Sequence, residues 1–288
     1  MIWFFLPIIL AAVFFWGFVT SNLIMKIPRL PLDANPKTFG YEYESFKTIT
    51  EDGVEIEGWF VPAKVKSESS ILVLHGWGAN RSDVLPSTIF LSSDYNMVYF
   101  DFRNHGRSGG HRTSLTCLEV QDFLAVIRYL KYQKMEFAKK LGVFGFSMGG
   151  AVAITGSSQV PEIKAVIADS PFASYNRTVV RFAKLFYGIP SFIVPITLAA
   201  TRMRLGFNPE DCSPIYWVNK LAPRPLFLIQ GGSDPRMPIS EGQSLYDKAG
   251  DPKEIWIVPE ADHGTIRQEK SEEYQARIAQ FFHRYLKN

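Results

Sequence analysis

Residues 141–154 read LGVFGFSMGGAVAI: an apolar run, a serine framed by glycines, then a run of small residues suited to a helix. Gly145 and Gly149 stand two positions either side of Ser147. A serine on a sharp strand-to-helix turn projects its hydroxyl above a sheet, and small flanking residues let the backbone turn that tightly. An ordinary glycine-rich connection has the same pattern, and G-x-S-x-G recurs by chance. The rest of the chain decides between them.

On both sides of this stretch, apolar runs of strand length alternate with helical stretches. The runs are ILVLHG, NMVYFDF, LGVFGF, AVIADS, PLFLIQG and EIWIVPE. Near-continuous apolar strands separated by helices predict an α/β fold with a mostly parallel, doubly wound sheet covered on both faces. Upstream, YESFKTIT and VEIEGWFVP flank Asp52-Gly53, a favoured tight turn, and predict a hairpin with Val54, Ile56, Gly58 and Phe60 on one face. Thr116 and Glu119 have the spacing of a capping box, and Tyr274, Ile278, Phe281 and Tyr285 recur at helical intervals near the C-terminus.

A nucleophilic serine needs a base, and the base needs a carboxylate to fix its tautomer. Asp234, in LIQGGSDPRMP, and His263, in WIVPEADHG, each follow an apolar strand. The chain order Ser, Asp, His is the one expected on a doubly wound hydrolase sheet. Together with LVLHGWGAN, YFDFRNHGRSGG, GFSMGG and ADSPF in that order, the sequence resembles the α/β-hydrolase fold family over residues 41–288. Within it, the likeness is to the serine aminopeptidase and lysophospholipase-like branch, which includes membrane-anchored members. The resemblance implies catalytic roles for Ser147, Asp234 and His263, with Asp169 as a rival acid. It implies an oxyanion hole from the backbone N–H groups of Met148 and Trp77; the Trp77 indole either lines the pocket or packs. His75 and His105 read as loop-ordering residues, and Asp262, His111 and His283 as exposed or partly buried ones. Arg103 and Arg107 suggest a phosphate site, but no P-loop or dinucleotide motif accompanies them.

Composition bounds the remainder. With 288 residues and 47% hydrophobic content the chain can bury one large core, and a net charge of +3 gives no basic field for nucleic acid. Cys117 and Cys212, far apart and without a CxxC, read as buried thiols, so no metal and no organic cofactor is expected. Residues 1–25 carry no charged side chain, which is longer than the ~20 residues a spanning helix needs. With Trp3 and Trp16 as interfacial anchors and Pro7 near one end, they predict a retained single-pass transmembrane anchor; a cleaved signal peptide is the rival reading. Lys26, Arg29 and Lys37 follow that span, so the catalytic domain is expected to face the cytoplasm. Residues 26–40, with three prolines, read as a linker to the domain at 41–288.

Between ADSPF and PLFLIQG the rhythm breaks, and the residues at about 172–213 read as a helical lid insertion. From 170 to 209 it holds no Asp or Glu but five basic residues, Arg177, Arg181, Lys184, Arg202 and Arg204. One basic and one apolar face suit a membrane surface; a lid packed on the core with solvated charges is the alternative. These features point to a serine hydrolase of carboxylic esters or thioesters, with a small-molecule acyl ester or lipid substrate and the membrane as partners. A peptidase of the same fold, an acyltransferase, and a catalytically silent membrane-tethered binding protein are the other readings.

Overall fold

The computed structural model describes residues 2–287, with side chains from residue 11 onward. After α1 (Ile2–Met25) come the hairpin β1 (Glu44–Ile49) and β2 (Glu55–Val61), then β3 (Ser69–Leu74), the single turn α2 (Leu85–Thr88) and β4 (Asn96–Phe100). The centre of the fold is α3 (Cys117–Gln133), β5 (Lys140–Phe146), α4 (Met148–Ser157) and β6 (Ile163–Asp169). Two further helices, α5 (Tyr175–Tyr187) and α6 (Val194–Leu205), precede β7 (Leu226–Gly231). The chain closes with α7 (Ile239–Lys248), β8 (Lys253–Val258), α8 (Ile266–Glu269) and α9 (Ser271–Leu286).

The eight strands form one sheet in the order β1-β2-β4-β3-β5-β6-β7-β8. The hairpin pairs antiparallel and β2 joins β4 antiparallel, whereas β4-β3-β5-β6-β7-β8 are parallel throughout. Parallel central strands must be apolar on both faces, and every residue of β3 and β4 is buried. One face packs on α3, α4 and α7 through residues such as Phe123, Val126, Val152 and Leu245. The other packs on α2 and α9 through Leu85, Ile278, Phe281 and Phe282. The hairpin turn is as the sequence predicts: Gly53 takes φ +81°, and Gly58 leaves room for the Phe46 ring.

Three expectations are corrected. Among the described residues no helix is long and apolar enough to cross a membrane, which overturns the single-pass anchor, the membrane localisation and the cytoplasmic-facing orientation that depended on it. The physical reason is that the C-terminal part of α1 is spent on protein contacts. Gly17, Thr20, Ser21 and Met25 are buried, and Thr20 Oγ1 meets Thr197 Oγ1 of α6 at 2.7 Å. Arg204 donates to Asn22 Oδ1 at 2.8 Å and to the Phe18 carbonyl. The side chains of Trp3 and Pro7 lie outside the described residues.

Second, Cys117 and Cys212 are a disulfide, not thiols; their Cα atoms are 5.3 Å apart, joining the start of α3 to the end of the segment that follows α6. Third, Thr116 precedes α3 without a side-chain capping bond. Glu119 instead turns back to accept from Thr113 Oγ1 (2.6 Å) and Ser114 Oγ (2.9 Å) in the buried preceding loop.

Residues 26–40 run along the domain surface as a strap. Asn80 Nδ2 donates to the Pro31 carbonyl (2.8 Å), Asp33 N–H donates to Ser82 Oγ (3.3 Å), and Arg29 donates to the Gly110 carbonyl (2.7 Å).

Candidate active site

β5 ends at Phe146 and α4 begins at Met148, so Ser147 alone makes the turn, with φ 54° and ψ −116°. A β-carbon-bearing residue pays about 1–3 kcal/mol for such a conformation. Its neighbours show why glycines flank it. A Cβ at Gly145 would sit 2.1 Å from the Gly149 carbonyl oxygen, and one at Gly149 would sit 2.3 Å from the Leu74 carbonyl oxygen. The turn is held by Ser147 N–H donating to the Asp169 carbonyl at 2.8 Å, across the register pair Phe146 and Asp169.

The loops after β7 and β8 converge on the same edge, where strand C-termini gather in an open parallel sheet. Asp234 Oδ1 accepts the N–H groups of Arg236 and Met237, both at 2.8 Å, which aims Oδ2 outward. His263 Nδ1–H donates to that Oδ2 at 2.6 Å. The imidazole is thereby left with Nε2 as its acceptor, 3.0 Å from Ser147 Oγ. Ser147 is 7% exposed, Asp234 3% and the His263 side chain 7%, so all three are largely withdrawn from water, while Ser147 and His263 line the cleft.

Asp169, the rival acid, points elsewhere. Its Oδ1 accepts from Ser170 Oγ (2.8 Å) and its Oδ2 from Tyr274 OH (2.6 Å). Burial pushes its carboxyl above the usual carboxylate range, and those two donors pull it back only in part. Asp262 is exposed, as are His111 and His283.

Met148 is the first residue of α4, where a helix has no carbonyl four residues back to bond its N–H. Trp77 lies in the loop after β3 and lines the Ser147 cleft. That loop is ordered by two buried histidines. His75 Nδ1–H donates to the Gly76 carbonyl (2.8 Å) while its Nε2 accepts from Phe102 N–H (3.0 Å). His105 Nδ1–H donates to the Arg103 carbonyl (2.8 Å) while its Nε2 accepts from Gly78 N–H (3.3 Å). Burial lowers His75 to about 4 and His105 to about 3, which keeps both neutral and able to accept.

Arg103 is not available to a phosphate: its Nε donates to Asp122 Oδ1 (2.8 Å) and its Nη1 to Asp52 Oδ2 (2.6 Å). The basic face of α5 is also engaged. Arg181 pairs with the buried Glu241 of α7 and donates to the Arg236 carbonyl at 2.9 Å, and Arg177 reaches Glu241 at 3.4 Å. Sequence reasoning missed this carboxylate, along with Tyr274, Gln230 (whose amide donates to the Met237 carbonyl) and the Arg81–Asp101 pair behind the Trp77 loop. The cleft itself, about 990 Å³, is lined by Phe146, Ser147, His263, Trp77, Phe182 and Phe186, with strap residues Leu30 and Asp33 at another wall. Among the described residues no group of His, Cys, Asp and Glu could hold a metal ion.

The sheet order and a serine on this turn define the class: an α/β-hydrolase, and within that fold a serine hydrolase. Residues 88–288 match the prolyl oligopeptidase family, and the chain belongs to it. The esterase Pf2001 of Pyrococcus furiosus is 31% identical and superposes with a TM-score of 0.77, covering 91% of this chain and 100% of its own. The uncharacterized protein YqkD of Bacillus subtilis is 26% identical over 95% of this chain and 94% of its own. The acylaminoacyl peptidase of Pyrococcus horikoshii, 19% identical with a TM-score of 0.68 over 86% of this chain and 42% of its own, shares the fold.

Proposed function

We propose that this chain hydrolyses carboxylic esters by a two-step acyl transfer, with residues 41–288 as the catalytic domain. The observation that carries the reading is the continuous hydrogen-bond line from Ser147 Oγ to His263 (3.0 Å) and on to Asp234 (2.6 Å). His263 Nε2 takes the Ser147 proton as Oγ attacks the ester carbonyl, and Asp234 stabilises the imidazolium that forms. The Met148 and Trp77 N–H groups receive the oxyanion; losing one such donor typically costs ~100 to 1,000-fold in rate. His263 returns the proton to the leaving alcohol, then activates a water that releases the acid and frees Ser147. The likeness to an esterase over nearly the full chain favours the ester substrate. The α5–α6 insertion acts as a lid: Phe182 and Phe186 of α5 face the cleft.

A peptidase reading is favoured by the family match and by Asp33, a carboxylate on the cleft wall that suits a free amino group; Asp83, on the same wall, is paired with Arg267 at 3.6 Å. The two separate in one assay. Purified protein is given p-nitrophenyl acetate and alanine p-nitroanilide, beside Ser147→Ala. Ester cleavage that falls at least ~1,000-fold in the variant supports the proposal; serine-dependent cleavage of the anilide alone replaces it with the peptidase.

A further inference from the structure

Residues 234–238 read DPRMP, and a proline has no N–H. Between Asp234 and the start of α7 the backbone therefore offers two N–H groups, those of Arg236 and Met237. Both donate to Asp234 Oδ1 at 2.8 Å. The Met237 N–H shares its peptide unit with the Arg236 carbonyl, and in a trans peptide the two point in opposite directions. Whatever holds that carbonyl also sets the direction of the N–H. Arg181 of α5 holds it, with Nη1 donating to the Arg236 carbonyl at 2.9 Å. The next carbonyl, that of Met237, accepts from the buried Gln230 amide of β7.

Arg181 is itself fixed. Its Nη2 donates to Glu241 Oε1, and the other oxygen of that buried carboxylate accepts the Ala173 N–H at 2.7 Å. A guanidinium is a rigid planar fork, so one nitrogen can serve the carboxylate while the other serves the carbonyl. A charged donor on the carbonyl also polarises the peptide, which strengthens the hydrogen bond made by the N–H on its far side. The line then runs unbroken from Arg181 through the 236–237 peptide to Asp234, and from Asp234 Oδ2 to His263 Nδ1 at 2.6 Å. Arg177 meets the same carboxylate at 3.4 Å from a half-exposed position, and its guanidinium bonds to Glu241 rather than to the turn.

We propose that Arg181 is a positioning residue for the triad: through the 236–237 peptide it aims the Asp234 carboxylate at His263, so the α5 insertion must be seated for the acid to be in place. The next residue, Phe182, lines the cleft. One turn of α5 thus meets both the substrate cleft and the turn that carries the acid. The inference rests on the ester-hydrolase reading. It makes the insertion part of the catalytic apparatus rather than a cover alone.

The test is steady-state hydrolysis of p-nitrophenyl acetate by wild type, Arg181→Met, Arg177→Met and Asp234→Ala, and by Asp234→Ala carrying Arg181→Met. Because His263 serves both half-reactions, Arg181→Met should lower kcat by about 10–100-fold, the scale of an ångström-level misplacement, while KM moves by less than about threefold. Arg177→Met removes a guanidinium from the same carboxylate and none from the turn, so it should keep kcat within about twofold of wild type. In the Asp234→Ala background, where no carboxylate is left to aim, adding Arg181→Met should change kcat by less than about twofold. A merely structural loosening would instead cost the same factor in both backgrounds. Arg181→Met/Glu241→Gln leaves no orphaned carboxylate and carries the same expectation if Arg181→Met does not fold. A folded variant lacking Arg181 that keeps wild-type kcat, or equal losses in the two backgrounds, overturns the positioning role and leaves the hydrolase intact. A folded wild type that leaves the ester intact overturns the hydrolase reading and the positioning role with it.

Discussion

Asp234 and Asp169 are both buried near Ser147, and their hydrogen-bond partners differ. Asp234 commits one oxygen to two backbone N–H groups and offers the other to His263. Asp169 commits both oxygens to hydroxyls, those of Ser170 and Tyr274. Asn at 234 presents an amide that cannot accept from Nδ1–H in the same way and favours the wrong imidazole tautomer. Asp234→Asn should therefore lower kcat by about 10,000-fold with little change in fold. Asp169→Asn should keep kcat within about tenfold and instead cost about 1–3 kcal/mol, since an amide NH2 faces one of two hydroxyl donors. Kinetics and urea midpoints on the two variants check both halves; an inactive but stable Asp169→Asn would transfer the acid role. The pairing of Asp234 with His263 was legible because its position after a strand, between the serine and the histidine in chain order, is itself the signal. The Tyr274 partner of Asp169 was not, because it comes from a helix 105 positions further along the chain.

The elements show the same division. All six apolar runs became parallel-sheet strands and the Asp52-Gly53 turn became the hairpin, since continuous apolar runs and turn glycines act locally. The chemistry of the insertion was not local. The arginines of α5 read as a free basic face because no acid lies between 170 and 209, yet the acid that Arg177 and Arg181 meet is Glu241 of α7, 60 residues from Arg181. Glu241 is 1% exposed and also accepts the Ala173 N–H at 2.7 Å, so one carboxylate joins the base of the insertion to α5, and Arg181 in turn holds the loop that carries Asp234 by donating to the Arg236 carbonyl. Glu241→Ala leaves the Arg181 guanidinium without its anion in a mostly buried place. It should cost about 3–5 kcal/mol by urea denaturation. A loss below about 1 kcal/mol, the range of exposed pairs, would mean that the insertion is held by its apolar face alone.

At the scale of the whole molecule, the N-terminal helix and the two cysteines were misread for one reason: hydropathy and spacing describe a segment, and what covers it depends on distant chain. The last turns of α1 lie on α6, and Cys117 meets Cys212 across 95 residues of sequence. Buried histidines give the molecule a pH dependence. Unfolded, His75 and His105 take up protons near ~6.5; folded, burial holds them at about 4 and about 3. Above pH ~6.5 both states are neutral and these groups contribute no difference. Below it the unfolded chain gains the protons first, so stability falls with pH, by about 3 kcal/mol from His75 alone by pH ~4. Urea midpoints from pH 7.5 to 4.5 should fall more steeply in wild type than in His105→Gln, which keeps one donor and one acceptor without the titration; equal slopes would contradict the buried neutral pair. The central claim, that Ser147 is a nucleophile activated by His263, has a more direct test. Purified wild type, Ser147→Ala and His263→Ala are incubated with a fluorophosphonate probe and the covalent adduct is located by peptide mass. The account predicts rapid labelling of wild type at Ser147, none in Ser147→Ala, and labelling slowed by at least about 1,000-fold in His263→Ala. A folded wild type that takes up no label, or a label carried equally by Ser147→Ala, would contradict it.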